Sequence, residues 1–285
     1  MIYDMLRLFI SNKKALIGVL IIFTFIIIAL LAPLLAPYHP RQDGTEERSF
    51  PLQADPGGEH LLGTNHAGYD ILSRLIYGTR LTLFVGLATG FISTFIALTF
   101  GLISGYFGGW VDDILNLINN IFLVIPSLPL IIVIASYIRM RGVLPIILVL
   151  TITNWAWGGR LIRSQVMSMR EREFIKVAEV MGESKLVIVF REILPNIISL
   201  VMVTFFAATL SAVLSHATLE FIGLGDVTVT TWGTMLYWAR NSAALLYGAW
   251  WWFLPPGIFI GMLGASLAMM NFAIDEISNP KIRER

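Results

Sequence analysis

The chain has 285 residues, 56% of them hydrophobic and only 14% charged, against about 25% charged in an ordinary soluble domain. Twenty basic and nineteen acidic residues leave a net charge of +1, which excludes nucleic-acid binding through an overall basic field, and the apolar content excludes a disordered chain. No cysteine is present, so disulfides, thiolate catalysis and cysteine-ligated metals are excluded too.

Residues 1–14 place Ile2, Met5, Leu6 and Phe9 on one helical face, an amphipathic start suited to lying along a membrane surface. Six runs without Asp, Glu, Lys or Arg follow, at residues 15–40, 81–111, 114–138, 142–159, 193–219 and 241–274. A bilayer core about 30 Å thick needs about 20 apolar residues of helix, so the pattern predicts an all-α membrane protein with six transmembrane helices. The first run, too long for a signal-peptide core of about 7–15 residues, is read as a retained span over residues 15–36. Residues 37–80 then form an extracytoplasmic loop, rich in Pro, Gly and charge over 37–56. Residues 81–275 form a five-helix core that includes a cytoplasmic loop at 160–193, and residues 276–285 form a tail.

Lys and Arg set the orientation. Thirteen basic residues fall on the side of the termini and the 160–191 loop, and seven on the opposite side. Both termini are therefore expected in the cytoplasm. Gly86/Gly90 and Gly101/Gly105 are each four apart, a spacing that lets helix backbones approach in lipid. Packing within the chain is expected there, with a dimer seam as the alternative. Trp250, Trp251 and Trp252 read as interfacial aromatics at the outer start of the sixth span.

The 160–193 loop holds the densest signals. Ser168-Met169-Arg170-Glu171 has the form of a capping box, so a helix is predicted to begin there. Phe174, Val177, Ala178 and Met181 then fall on one apolar stripe, and Gly182 supplies a helix end with positive φ. A second short helix is predicted over residues 184–194, stopped by Pro195. From the residues alone, the stripe either folds back under its own bundle or docks into a groove on a cytosolic partner. Arg160 and Arg163 border the inner surface, either snorkelling to headgroups or taking part in coupling.

The segment from Phe174 through Gly182, followed by Leu194-Pro195-Asn196, resembles the loop signature of importer-type ABC transporter permeases, with Lys176 and Val177 standing where that family usually has Glu and Ala. Further blocks are similar to its dipeptide/oligopeptide/nickel branch. They are His60-Leu61-Leu62-Gly63-Thr64-Asn65, Asp70 to Gly78, Gly105 to Asp112, Ile125-Pro126-Ser127, Phe221 to Gly225 and Trp232 to Leu236. The resemblance implies the importer-type permease fold in a prokaryotic inner membrane. It implies partners: a second homologous permease, two cytosolic ABC ATPases and an extracytoplasmic solute-binding protein. It also implies that Phe174, Ile175, Lys176, Val177, Ala178, Met181, Gly182, Pro195 and Asn196 couple the chain to an ATPase. Gly-Lys occurs nowhere in the chain, so no P-loop is present; ATP and Mg are expected on the partner ATPases, with no cofactor on this chain.

Charges inside spans default to functional candidates. Glu220 lies near the outer end of the fifth run with His216 one turn earlier. The pair is read as a pathway or gate group, or as a structural pair holding that span to the outer loop; Trp232 joins them as an aromatic candidate. The four histidines include no i,i+4 pair and no H-E-x-x-H, so neither a metal site nor a membrane-embedded enzyme is expected. The expected activity is non-catalytic: half of an import pathway for peptides, with oligosaccharides or nickel chelates as alternatives and a secondary transporter or channel as the alternative class.

Overall fold

A computed structural model describes residues 12–40, 51–137 and 142–278. The predicted surface helix at the start and the tail beyond Ser278 lie outside the described residues, apart from Asn12 to Lys14. α1 (Lys13–Leu30) is capped by Asn12, whose Oδ1 accepts from the amides of Lys14 at 2.9 Å and Ala15 at 3.3 Å. Asn12 Nδ2 also donates to Glu276 Oε2 at 3.1 Å, tying the two ends of the described chain together.

α2 (Ile71–Phe107) has 37 residues and a length of about 55 Å. It begins ten residues before the expected boundary because the charge-free run locates the lipid-embedded stretch, not the helix start. The true start is set by Asp70, whose Oδ1 accepts from Ser73 N at 2.7 Å. Arg74 lies within the first turns, buried, with its guanidinium 5.0 Å from the Tyr69 ring centroid.

The third run is not one straight helix. α3 (Gly109–Val124) and α4 (Ser127–Tyr137) meet at an angle of 87°. Pro126 supplies no amide and pushes the residue before it out of the helical region; Ile125 is extended, with φ −76° and ψ 123°.

α5 (Val143–Arg170) carries helix past the expected end at 159 and through Arg160 and Arg163. The Ser168 capping box therefore does not form. Ser168 sits inside the last turns of α5, where the backbone amides already have intrahelical acceptors and nothing is left to cap. α6 (Glu173–Val180) starts five residues later than predicted, without a side-chain cap. It ends as expected: Gly182 has φ +81°, Gly182 N donates to Glu179 O and Glu183 N to Ala178 O, both at 3.1 Å, the paired bonds of a glycine-terminated helix.

α7 (Lys185–Phe221) is a single 37-residue rod, so Pro195 does not stop the helix predicted over 184–194. The turn Ile188–Ile193 winds as π-helix and Leu194 N donates to Val189 O. A proline ring normally strikes the carbonyl four residues back and leaves it without a donor; the wider turn just before Pro195 makes room for the ring. α8 (Trp232–Asn241) and α9 (Trp250–Ser278) are the last described helices. Among the described residues five helices are long and apolar enough to cross a membrane, six with α3 and α4 counted as one bent span. Among the described residues there are isolated β-bridges but no strand.

α2 lies at the centre, and its glycines face other helices of the same chain. A Cβ on Gly101 would lie 2.5 Å from Ile162 Cγ2 and one on Gly105 2.8 Å from Arg163 O, both on α5. Gly86 and Gly90 meet Val213 and Thr209 of α7 in the same way. Gly101→Leu is expected to cost about 1–3 kcal/mol by overpacking, seen as a lower thermal midpoint in detergent. Gly257→Leu, where a Cβ meets nothing within 4 Å, should leave the midpoint unlowered.

Candidate functional site

The residues singled out by the sequence gather at the two ends of the bundle. At one end, α6 lies across the ends of α2, α5 and α7. Ile175 is fully buried in a cluster with Ile162, Met169, Ile188 and Ile193, and Ala178 packs half-buried against it. The Tyr106 hydroxyl, at the end of α2, donates to Glu179 Oε1 at 3.1 Å. One face of α6 is thus clamped to the chain's own bundle.

The opposite face is open. Phe174, Val177 and Met181 are exposed, Met181 by 77%, and Val180 beside them by 89%. The stripe is therefore divided: Ala178 turns toward the chain's own bundle, while Phe174, Val177 and Met181 lie exposed. Ile175, grouped by sequence with the partner-facing residues, points inward instead: at 100° per residue it stands well away from the Phe174–Val177–Met181 line. Lys176 is exposed and pairs with Glu171 at 3.1 Å. Pro195 and Asn196 are exposed at the base of α7, and Asn196 Nδ2 donates to the Glu192 carbonyl of the π turn at 2.6 Å.

Behind α6 lies a junction that sequence reasoning missed. Arg163 of α5 grips Asp112 of α3 with two bonds, Nε to Oδ1 and Nη2 to Oδ2, each 2.6 Å. Arg163 Nε also reaches Ser104 Oγ of α2 at 3.1 Å, and that hydroxyl donates in turn to Asp112 Oδ1. Three helices meet at one guanidinium, whose planar fork suits this bidentate grip. The 105–112 turn stood out in the sequence, yet nothing there showed that its acid pairs with an arginine 51 residues on.

At the far end, His216 Nε2 and Glu220 Oε1 are 3.1 Å apart and both side chains are buried. Glu220 Oε2 accepts from Thr231 Oγ1. Thr231 caps α8 in a reciprocal box with Thr234, and Gly233 leaves the space that the Glu220 carboxylate fills, since a Cβ there would lie 2.5 Å from Oε2. Glu220 therefore joins α7 to the start of α8. His216 Nδ1 has no hydrogen-bond partner among the described residues. A cavity of about 10 Å³ adjoins the pair, room for about one water.

Trp232 is wholly buried, not lining an opening. Its Nε1 donates to Leu75 O at 3.1 Å, and its ring packs on Phe25 and Phe259 at 5.3 and 5.5 Å. Nearby, the 51–70 segment folds into a compact cover. His60 Nδ1 lies 2.9 Å from Asp70 Oδ2, and His66 stacks between Trp238 and Trp252. Burial, and then the Arg74 charge, hold His66 below its ordinary value. Among the described residues no group of three or more His, Asp or Glu is placed to hold a metal ion.

Thr231→Val removes a donor from a buried carboxylate and a cap from α8, and is expected to cost about 1–3 kcal/mol. The thermal midpoint in detergent should fall, and Thr231→Ser should restore it.

Comparison with known proteins gives two family matches. The family described as "Binding-protein-dependent transport system inner membrane component" matches residues 97–284. The one described as "N-terminal TM domain of oligopeptide transport permease C" matches residues 1–54. The chain is 35% identical over 274 residues to a dipeptide transport system permease protein DppC of Alkalihalophilus pseudofirmus, covering 96% of this chain and 88% of the relative. It is 34% identical over 279 residues to the DppC of Haemophilus influenzae, covering 96% and 92%. To the oligopeptide transport system permease protein OppC of Bacillus subtilis it is 30% identical over 283 residues, covering 99% and 90%.

Proposed function

The chain belongs to the family of binding-protein-dependent transport system inner membrane components, and from that premise we propose that it is a pathway-forming permease subunit of an ATP-driven peptide importer. The single observation that carries the coupling role is the two-faced α6. A short helix clamped inward by Ile175 and by the Tyr106–Glu179 bond offers Phe174, Val177 and Met181 outward. An apolar helix face of this size fits a groove on a partner protein.

The basic asymmetry of thirteen residues to seven supports placing α6 and both termini in the cytoplasm. The partner there is a cytosolic ATPase, which supplies ATP and Mg; a second ATPase serves a second homologous permease that completes the pathway. The solute-binding protein delivers cargo at the opposite face, where the 51–70 segment and the Glu220–Thr231 junction lie. The relatives' names favour peptides over oligosaccharides or nickel chelates as cargo. When the ATPases close, α6 moves, and two links carry the motion into the bundle. The Tyr106–Glu179 bond takes it to α2, and the packing of α6 under α5 takes it through Arg163 to α3.

The faces of α6 make separable predictions. Val177→Glu and Met181→Glu should leave the purified chain folded, with an unchanged thermal midpoint, yet abolish co-purification of the ATPases and peptide uptake. Ile175→Glu buries a charge and should lower the midpoint itself. Full ATPase association and uptake with both outward glutamates in place would overturn the docking role.

A further inference from the structure

The bundle has two unlike outer faces. On α2, Phe84, Phe91 and Phe95 project outward, Phe91 by 67%. The hydroxyl of Thr99 beside them returns to Phe95 O at 2.9 Å. Such a surface suits lipid, where every polar group must find its partner inside the protein.

A second face, formed by α3, α5 and α7, carries polar side chains at membrane depth. Asn116 and Asn120 stand one turn apart on α3, both half-buried. Asn120 Oδ1 accepts from Arg160 Nη2 of α5 at 2.5 Å. Higher on α5, Asn154 Oδ1 accepts from Ser211 Oγ of α7 at 2.7 Å. These two bonds tie α3 to α5 and α5 to α7, and set the side chains in a ribbon along α5 that is interrupted by the exposed Trp157. Asn154 is near the middle of the 28-residue α5, and Arg160 lies about 15 Å from its α6 end. Amide and guanidinium groups at such depth are costly against hydrocarbon.

The backbone points the same way. The 87° break between α3 and α4 comes about 24 Å along from the start of α3. Val124, at its edge, is 81% exposed and stands 40° from Asn120 on the helical wheel. Non-helical backbone at membrane depth is tolerated only inside protein or against water.

We propose that this ribbon, with Asn116, Asn120, Asn154 and Ser211 as its neutral groups and Arg160 at its α6 end, is the wet, solute-facing wall of the chain. The ligand class is the peptide main chain. Amide and hydroxyl groups both donate and accept, so they match the peptide units common to all cargo and leave side-chain identity unread. The ligand class rests on the importer reading above; the wetness of the wall does not.

The chain's lack of cysteine makes the test direct. Single cysteines are placed at Asn116, Asn120, Asn154 and Ser211, and at Phe91 and Phe95 as controls. The full transporter, with cysteine-free partner subunits, is reconstituted in proteoliposomes. A charged, membrane-impermeant thiosulfonate is applied from both sides. Thiolates form in water and not in hydrocarbon, so the ribbon positions should react at least about tenfold faster than the controls. A saturating mixed-sequence dipeptide, added with its binding protein and ATP, should slow that reaction. Ribbon rates equal to those at Phe91 and Phe95 would overturn the wall. Fast rates that the dipeptide leaves unchanged would overturn the ligand class. Uptake of labelled dipeptide by the cysteine-free transporter is measured separately: a wet ribbon without ATP-dependent uptake would support the wall and count against the importer reading.

Discussion

Close approach of α2 to its two neighbours underlies the arrangement of the whole bundle. In lipid no hydrophobic force drives helices together, and association depends on backbone proximity and dispersion between tightly matched surfaces. Gly86/Gly90 and Gly101/Gly105 give α2 two grooves 15 residues apart, a rotation of about 60° beyond four full turns. The first pair seats α7 and the second seats α5. One helix thus holds two others at different heights and on different sides. Because α5 leads into α6 and α7 leads out of it, this crossing also decides where α6 hangs.

Once the helices are so placed, each end is secured by a buried or half-buried charge shared between elements. Arg163 and Asp112, with Ser104, join α5, α3 and α2 behind α6. Glu220, with His216 and Thr231, joins α7 to α8 at the far end. Each carboxylate has its oxygens engaged by neighbours, the condition under which burying a charge is tolerable. Such junctions bind the ends of the helices to one another through side chains. They also distinguish the two ends of α7: its base carries the π turn and the exposed Pro195, while its top is tied to α8 through Glu220 and Thr231.

The ease of reading the sequence differed with the kind of signal. Each charge-free run coincides with helix among the described residues, because the bilayer imposes a length and a polarity that any window of sequence must show. The same runs misplaced helix ends, since Arg74, Arg160 and Arg163 lie inside continuous helix. Their charges are met by the Tyr69 ring, by Asn120 and by Asp112, residues that a linear scan does not pair with them. Ser168 and Pro195 misled for one reason: a capping residue or a breaker acts only where the backbone has an amide to cap or no wider turn to take. At the candidate site, the stripe Phe174, Val177, Ala178 and Met181 was legible in the sequence, but only Phe174, Val177 and Met181 are exposed, while Ala178 packs against the chain's own bundle. Ile175 was not assigned inward, because an apolar residue at the edge of a stripe can turn either way until its neighbours are known.

By itself, then, the sequence determined that this is a multi-span helical membrane protein, that one polar segment carries an apolar stripe ended by Gly182, and that His216 and Glu220 stand one turn apart near the end of the fifth apolar run. These follow from local periodicity, local composition and the bilayer's thickness, all of which are written within short windows. Tertiary structure alone decided that the glycine pairs serve two different neighbours, that Trp232 is core, that Asp112 belongs to Arg163 and Glu220 to Thr231, and that Asn120 pairs with Arg160 and Asn154 with Ser211. Each of these is a pairing between distant residues. Such pairings depend on which helix faces meet, and that choice is made by packing the whole bundle at once.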